Sequence, residues 1–168
     1  MSCKFEYSLE VIPRLAKRLL ILGPSFRRNR RDESLPALER YDGVFFRVAR
    51  KYLGEVKDVD VIVMRDDLTL VDGEAPIPYV PPVGDVWGRQ YFSKEKLGKA
   101  RETNEDFLDK KLRRKRYSQV FIAMGKKHAK ALPDLSHYGV KVIFPTHGGP
   151  GPKARALKEW LIGEKIEW

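Results

Sequence analysis

Cysteine is almost missing from this chain. Cys3 is the only one in 168 residues, so no intrachain disulfide can form and no Cys-x-x-Cys redox or zinc site exists. Histidine is nearly as scarce: His128, His137 and His147 stand too far apart for spacing to define a metal site, and no metal or cofactor is expected. Nothing approaches the roughly 18 uninterrupted apolar residues of a membrane span, and the first residues lack the apolar stretch of a secretory signal. The expectation is a cytoplasmic protein with no membrane partner. Two phosphate-binding strings are also missing. No Gly-x-x-x-x-Gly-Lys-Ser/Thr loop occurs, and Gly148-Gly-Pro-Gly151 is not Gly-x-Gly-x-x-Gly. Pro150 and Pro152 further remove two amide donors, which disfavours a Rossmann cofactor.

A 42% hydrophobic fraction with 3 Trp, 7 Tyr and 8 Phe can bury one sizeable core, so one domain over residues 1–168 is expected. The charged fraction of 33%, against about 25% in ordinary domains, suits a thermophilic source with surface ion-pair networks. The net charge of +10 is concentrated. Arg27, Arg28, Arg30 and Arg31 form one acid-free run, and Lys110, Lys111, Arg113, Arg114, Lys115 and Arg116 form another; setting those ten aside leaves 23 of the 33 Lys and Arg against 23 Asp and Glu. A neutral domain with two cationic segments points to nucleic acid, because each neutralised phosphate releases counterions. The same runs would also serve as a docking surface for an acidic protein partner, or simply as solvated segments.

Along the chain, Phe5, Tyr7, Leu9 and Val11 alternate with polar residues as in an edge strand. Leu19–Leu22 is apolar throughout, the pattern of an interior parallel strand. Gly23-Pro-Ser-Phe26 turns the chain, placing Ser25 and the first arginine run where an anion can be held. Helical spacing runs from Pro36 to Leu53, interrupted at Asp42-Gly43, which would expose Tyr41 and Asp42 as ligand contacts. Val59–Met64 reads as a strand, and Asp66 and Asp67 beyond its end are candidate general bases as well as ordinary turn residues. Residues 73–92 form a Pro- and aromatic-rich loop, with Tyr79, Trp87, Tyr91 and Phe92 available either to stack on bases or to pack as a lid. Ser93 caps a helix whose buried side is Leu97, Ala100, Phe107, Leu108 and Leu112, with polar Asn104 among them. Gln119–Met124 is a further buried strand, followed by Lys126 and Lys127 at a strand-to-helix junction that suits an anion. Val140–Phe144 reads as a short buried strand. It leads into Thr146-His-Gly-Gly-Pro-Gly-Pro152 and then a helix with Ala154, Leu157, Trp160 and Leu161 on one stripe and Gly163 as C-terminal cap. His147 in that loop is the histidine best placed for catalysis, and Gly148 and Gly149 offer amides to a ligand.

Four segments together resemble a known group. Tyr41-Asp-Gly-Val-Phe-Phe-Arg-Val-Ala-Arg50, Val59 to Met64, Val120 to Lys127, and Gly149-Pro-Gly-Pro-Lys through Leu157-Lys-Glu-Trp-Leu161 are similar to a small α/β family distantly related to the peroxide-stress YaaA proteins. The resemblance covers about two-thirds of the chain, in order. Where that family carries a Ser-x-x-Lys-like turn, this chain reads Gly23-Pro-Ser-Phe-Arg27. Where it carries Ser-Ala-Lys-Tyr-Gly, this chain reads Met64-Arg-Asp-Asp-Leu68, so chemistry residing there is lost or taken over by Asp66 and Asp67. The resemblance implies a three-layer α/β domain with nucleic-acid or nucleobase associations.

The expected fold is α/β, a single three-layer domain with a mostly parallel sheet of about five strands and helices on both faces. Its strand-end loops would gather Ser25, Tyr41, Asp67, Lys126 and His147. Nucleic-acid or nucleotide binding is the leading function expected. A hydrolase or transferase acting on a nucleotide or nucleobase, or a basic protein-interaction module, are the alternatives.

Overall fold

A strand that is apolar on both faces needs a layer above it, a layer below it and a neighbour on each edge. β1 (Lys17–Leu22) is such a strand: Leu19 to Leu22 are fully buried. In the computed structural model, which describes residues 17–82 and 91–163, β1 pairs in parallel with β3 (Val59–Met64) on one edge and with β6 (Tyr117–Ala123) on the other. β7 (Lys141–Ile143) adds in parallel beyond β6, and β4 (Leu70–Asp72) closes the far edge antiparallel to β3. The order is β4-β3-β1-β6-β7. A separate pair, β2 (Leu35–Pro36) with β5 (Pro76–Ile77), holds the long loop against the first helical region. The strand expected at residues 5–11 and Trp87 of the aromatic loop lie outside the described residues.

The sheet's side chains alternate between two cores. On one face Leu19, Ile21, Ile62, Met64, Val120 and Ile122 pack under α3 (Lys94–Arg114) and the segment 131–135. On the other, Leu20, Leu22, Val63, Phe121 and Ala123 pack under α1 (Ala37–Arg40), α2 (Val44–Tyr52) and α5 (Pro150–Ile162). This is the three-layer α/β architecture expected from the sequence. α3 starts where Ser93 accepts the amide of Lys96, and it buries Leu97, Ala100, Asn104 and Leu108 along one stripe. α5 begins at Pro150 and ends at Gly163, whose φ of 72° is the left-handed conformation of a C-terminal cap. Arg18 of β1 secures that end by donating to the carbonyls of Trp160 and Leu161 while pairing through two nitrogens with Asp58.

Two readings change. The break expected at Asp42-Gly43 is present, with α1 and α2 separated by Tyr41-Asp-Gly43, where a Cβ on Gly43 would stand 2.5 Å from the Ser25 hydroxyl oxygen, but Tyr41 is buried there rather than exposed. The run Val140–Phe144, expected as a buried strand, lies at the sheet's edge among the described residues. β7 has three residues, pairs there with β6 alone and exposes Lys141 and Val142. Its β-branched composition reports strand propensity, whereas burial depends on a second neighbour, which no described strand provides. The sheet is therefore organised around β1, its central strand.

Candidate functional site

Parallel pairing brings the carboxyl ends of β1, β3, β6 and β7 to one edge of the molecule, where α/β proteins bind ligands. The chain leaves β1 toward β3 on one side and later returns to β6 on the other, so the β1/β6 boundary is the topological switch point. That boundary is closed: the Gly23 amide donates to Ala123 O at 3.0 Å, and a Cβ on Gly23 would lie 2.5 Å from Cβ of Met124. Open space appears instead beyond β3.

Arg28 fixes the site. Its side chain is 4% exposed, and its five N–H groups meet five acceptors. They are the two Asp66 carboxylate oxygens at 2.6 and 3.2 Å and the carbonyls of Ser25, Phe26 and Val80 at 2.8, 3.3 and 3.1 Å. Tyr41, which bridges to Arg28 through the backbone, lies fully buried with the guanidinium 5.1 Å from its ring centroid. Burial, reinforced by the Asp66 carboxylate, raises the Tyr41 phenol well above its ordinary pKa, so it stays a protonated wall of the cluster.

The two neighbouring aspartates part company here. Asp67 accepts the Thr69 amide at 3.0 Å, the Thr69 hydroxyl at 2.5 Å and Arg65 at 2.7 Å. Partial burial pushes its carboxyl up, but the hydrogen bonds from Arg65 and Thr69 outweigh that and hold it below the usual range. It thereby shapes the β3–β4 turn, in which buried Leu68 takes a φ of 72°. Asp66, clamped by Arg28, keeps 39% of its side chain exposed, and its backbone carbonyl accepts the hydroxyl of Tyr91.

Asp66 and Asp67 share a cavity of about 400 Å³ with Thr69, Tyr91 and, from the first half of α3, Lys96 and Lys99. That volume is ordinary for a small-molecule pocket. His128, in the short helix α4 (Lys126–Ala129) after β6, lies edge-on against Phe92 at 4.9 Å and Tyr91 at 6.0 Å. Burial lowers its pKa to about 4, with the Asp66 carboxylate opposing the shift. Lys127 stands 5.9 Å from the Phe92 ring. The sequence reading placed His147, in the glycine loop, ahead of His128, which lies just past β6, the strand beside β1. A larger hollow of about 520 Å³ near the start of β3 contains Lys111 and Lys115, already paired with Asp72 at 2.5 Å and Asp60 at 3.2 Å.

The other sequence candidates are distributed as follows. Ser25 contributes its carbonyl to Arg28 and donates its hydroxyl to Arg27 O at 2.7 Å. Asp42 accepts from Arg47 at 3.0 Å and Arg50 at 2.5 Å; the Arg47 hydrogen bond is the main reason its carboxyl lies below the usual range. Lys126 is exposed at the start of α4 and does not line the cavity. His147, Gly148 and Gly149 are also exposed, at the carboxyl end of β7 two strands away from β1, and the His147 ring meets the Thr146 hydroxyl at 3.1 Å. The basic runs sit at opposite ends of the sheet: Arg27 to Arg31 follow β1, while Arg116 immediately precedes β6 and accepts the amide of Lys17 at the start of β1. Four of the six cations in the second run are ion-paired, with Asp106, Asp72, Asp109 and Asp60. Among the described residues, no group of three or more His, Cys, Asp or Glu is placed to hold a metal ion, and no helix is long and apolar enough to cross a membrane. Comparison of the chain with protein-family models, curated proteins and solved structures finds no match.

Proposed function

We propose that this chain binds a nucleotide in the cavity between the β3–β4 turn and the first half of α3. The observation that carries the reading is one carboxylate, Asp66, fixed in orientation by a saturated buried arginine yet partly open to a cavity that also contains Lys96 and Lys99. The lysines suit a phosphate, Asp66 suits a ribose hydroxyl or base amino donor, and Tyr91 supplies an aromatic wall. The resemblance to a family with nucleobase associations points the same way. A nucleotide-directed hydrolase or transferase is the second reading, favoured by His128, which is held neutral at pH 7 behind Tyr91; in it Asp66 would act as base.

Isothermal titration with nucleoside monophosphates tests the binding reading. Lys96 and Lys99 lie on the exposed side of α3, so Lys96→Gln with Lys99→Gln leaves thermal stability almost unchanged. The double variant is expected to weaken binding at least about tenfold, or about 1.4 kcal/mol. Equal affinity in wild type and variant, or no nucleotide binding by wild type, contradicts the proposal.

A further inference from the structure

Among the described residues, three cations without an ion pair meet on a surface that neither basic run contains. α2 has no acidic residue and α5 has only Glu159. The two helices pack side by side on the face of the sheet opposite α3. Between them runs a furrow of about 320 Å³ lined by Arg47, Lys51, Arg155 and Lys158 over Val48 and Tyr52, with no carboxylate in its lining. Arg47 reaches Asp42 at 3.0 Å; the other three have no ion pair among the described residues. Lys51 and Lys158 both place their ammonium groups on the single Tyr52 ring, at 5.4 and 5.6 Å from its centroid. Like charges gathered without a counter-ion repel one another, and a bound anion relieves that repulsion.

We infer that this furrow binds the phosphodiester backbone of a single nucleic-acid strand. Arg47 and Lys51 lie four residues apart on α2, and Arg155 and Lys158 three apart on α5, so each helix presents cations about 5–6 Å apart along its length. A row of that spacing matches repeated phosphates better than one isolated anion. Tyr52 is engaged by two ammonium groups, so contact is through the backbone and is indifferent to sequence. The furrow is separate from the crevice at Asp66, and either site can fail without the other.

The test is fluorescence anisotropy of a short labelled single-stranded DNA of mixed sequence, titrated at several salt concentrations. Wild type is expected to bind with a steep salt dependence. The variant Lys51→Gln, Arg155→Gln, Lys158→Gln should flatten the slope of log K against log salt by about 2, each lost contact removing about 0.7. Its affinity at low salt should fall more than about tenfold. Lys51→Arg with Lys158→Arg keeps the charge and should retain binding, which separates charge from folding. Arg114→Gln with Arg116→Gln, just before β6 and outside the furrow's lining, should leave the slope unchanged. The inference is overturned by absent or salt-independent binding in wild type. A wild-type slope in the triple variant, an equal loss in the Arg114/Arg116 variant, or tighter binding of poly-glutamate than of the oligonucleotide would overturn it as well.

Discussion

At the scale of single residues, burial and partner identity decide what a charged group does. Arg28, Arg40 and Arg50 lie close in sequence to exposed cations, yet Arg40 is 1% exposed and donates to four backbone carbonyls, those of Asn29, Arg31, Glu33 and Ile77. Arg28 and Arg50 each combine carbonyls with one aspartate. These arginines brace loops and leave few donors for a ligand. His128 makes a sharper prediction. Burial depresses its pKa to about 4 in the folded state, against about 6.5 unfolded, so the unfolded chain binds a proton between those values that the folded chain refuses. Stability is therefore full above about pH 6.5, declines as pH falls through the window, and levels off below about 4. The lowered carboxylates Asp42, Asp58 and Asp67 keep their contribution above the unfolded carboxylate value near 3.9 and lose it only at lower pH. Urea denaturation is expected to show wild type losing about 2.5 kcal/mol between pH 7 and 4.5, and His128→Gln losing much less. Parallel pH profiles for the two proteins would reject the assignment.

Among the elements, α3 does more than cover a sheet face. Asn104, fully buried in its middle, accepts the Leu70 amide at 2.9 Å and donates to the carbonyls of Leu68 at 2.8 Å and Ala131 at 2.9 Å. One side chain thus joins the β3–β4 turn, the edge strand β4 and the segment after β6, and it fixes the turn that presents Asp66 to the cavity. Asn104→Leu strands three buried backbone groups and should cost about 3 kcal/mol or more by chemical denaturation, while Glu102→Ala on the exposed side should change stability by less than about 0.5 kcal/mol. Similar small effects for both would show that the bonds contribute little. Much of this element was legible: Ser93 as cap, the stripe from Leu97 to Leu112, and polar Asn104 among apolar neighbours are local signals. β1, β3 and β6 were legible as apolar runs because interior strands are buried on both faces. What could not be read was pairing at a distance. Arg28 meets Asp66 across 38 residues and Arg18 meets Trp160 across 142, and no local pattern encodes such partners. For the same reason Asp66 and Asp67 looked equivalent, and β7 looked buried.

For the whole molecule, the net charge of +10 is real but its arrangement differs from the linear sequence. The two runs that account for it arithmetically stand at opposite ends of the sheet, and much of their charge is paired. The α2–α5 furrow, assembled from residues 47 to 158, carries cations that no run announces. The crevice at Asp66 lies on the other side, bordered by the β3–β4 turn, Tyr91 and α3. This separation gives the account two independently testable surfaces, of which the crevice is central. Its most direct test is the amide chemical-shift map of the isotope-labelled protein titrated with AMP, GMP, CMP and UMP. The account predicts saturable shifts confined to Asp66 through Thr69, Tyr91 and the part of α3 from Lys96 to Thr103 for at least one of them. Shifts centred instead on the loop from Thr146 to Pro152, or no saturable shifts with any of the four, would contradict it.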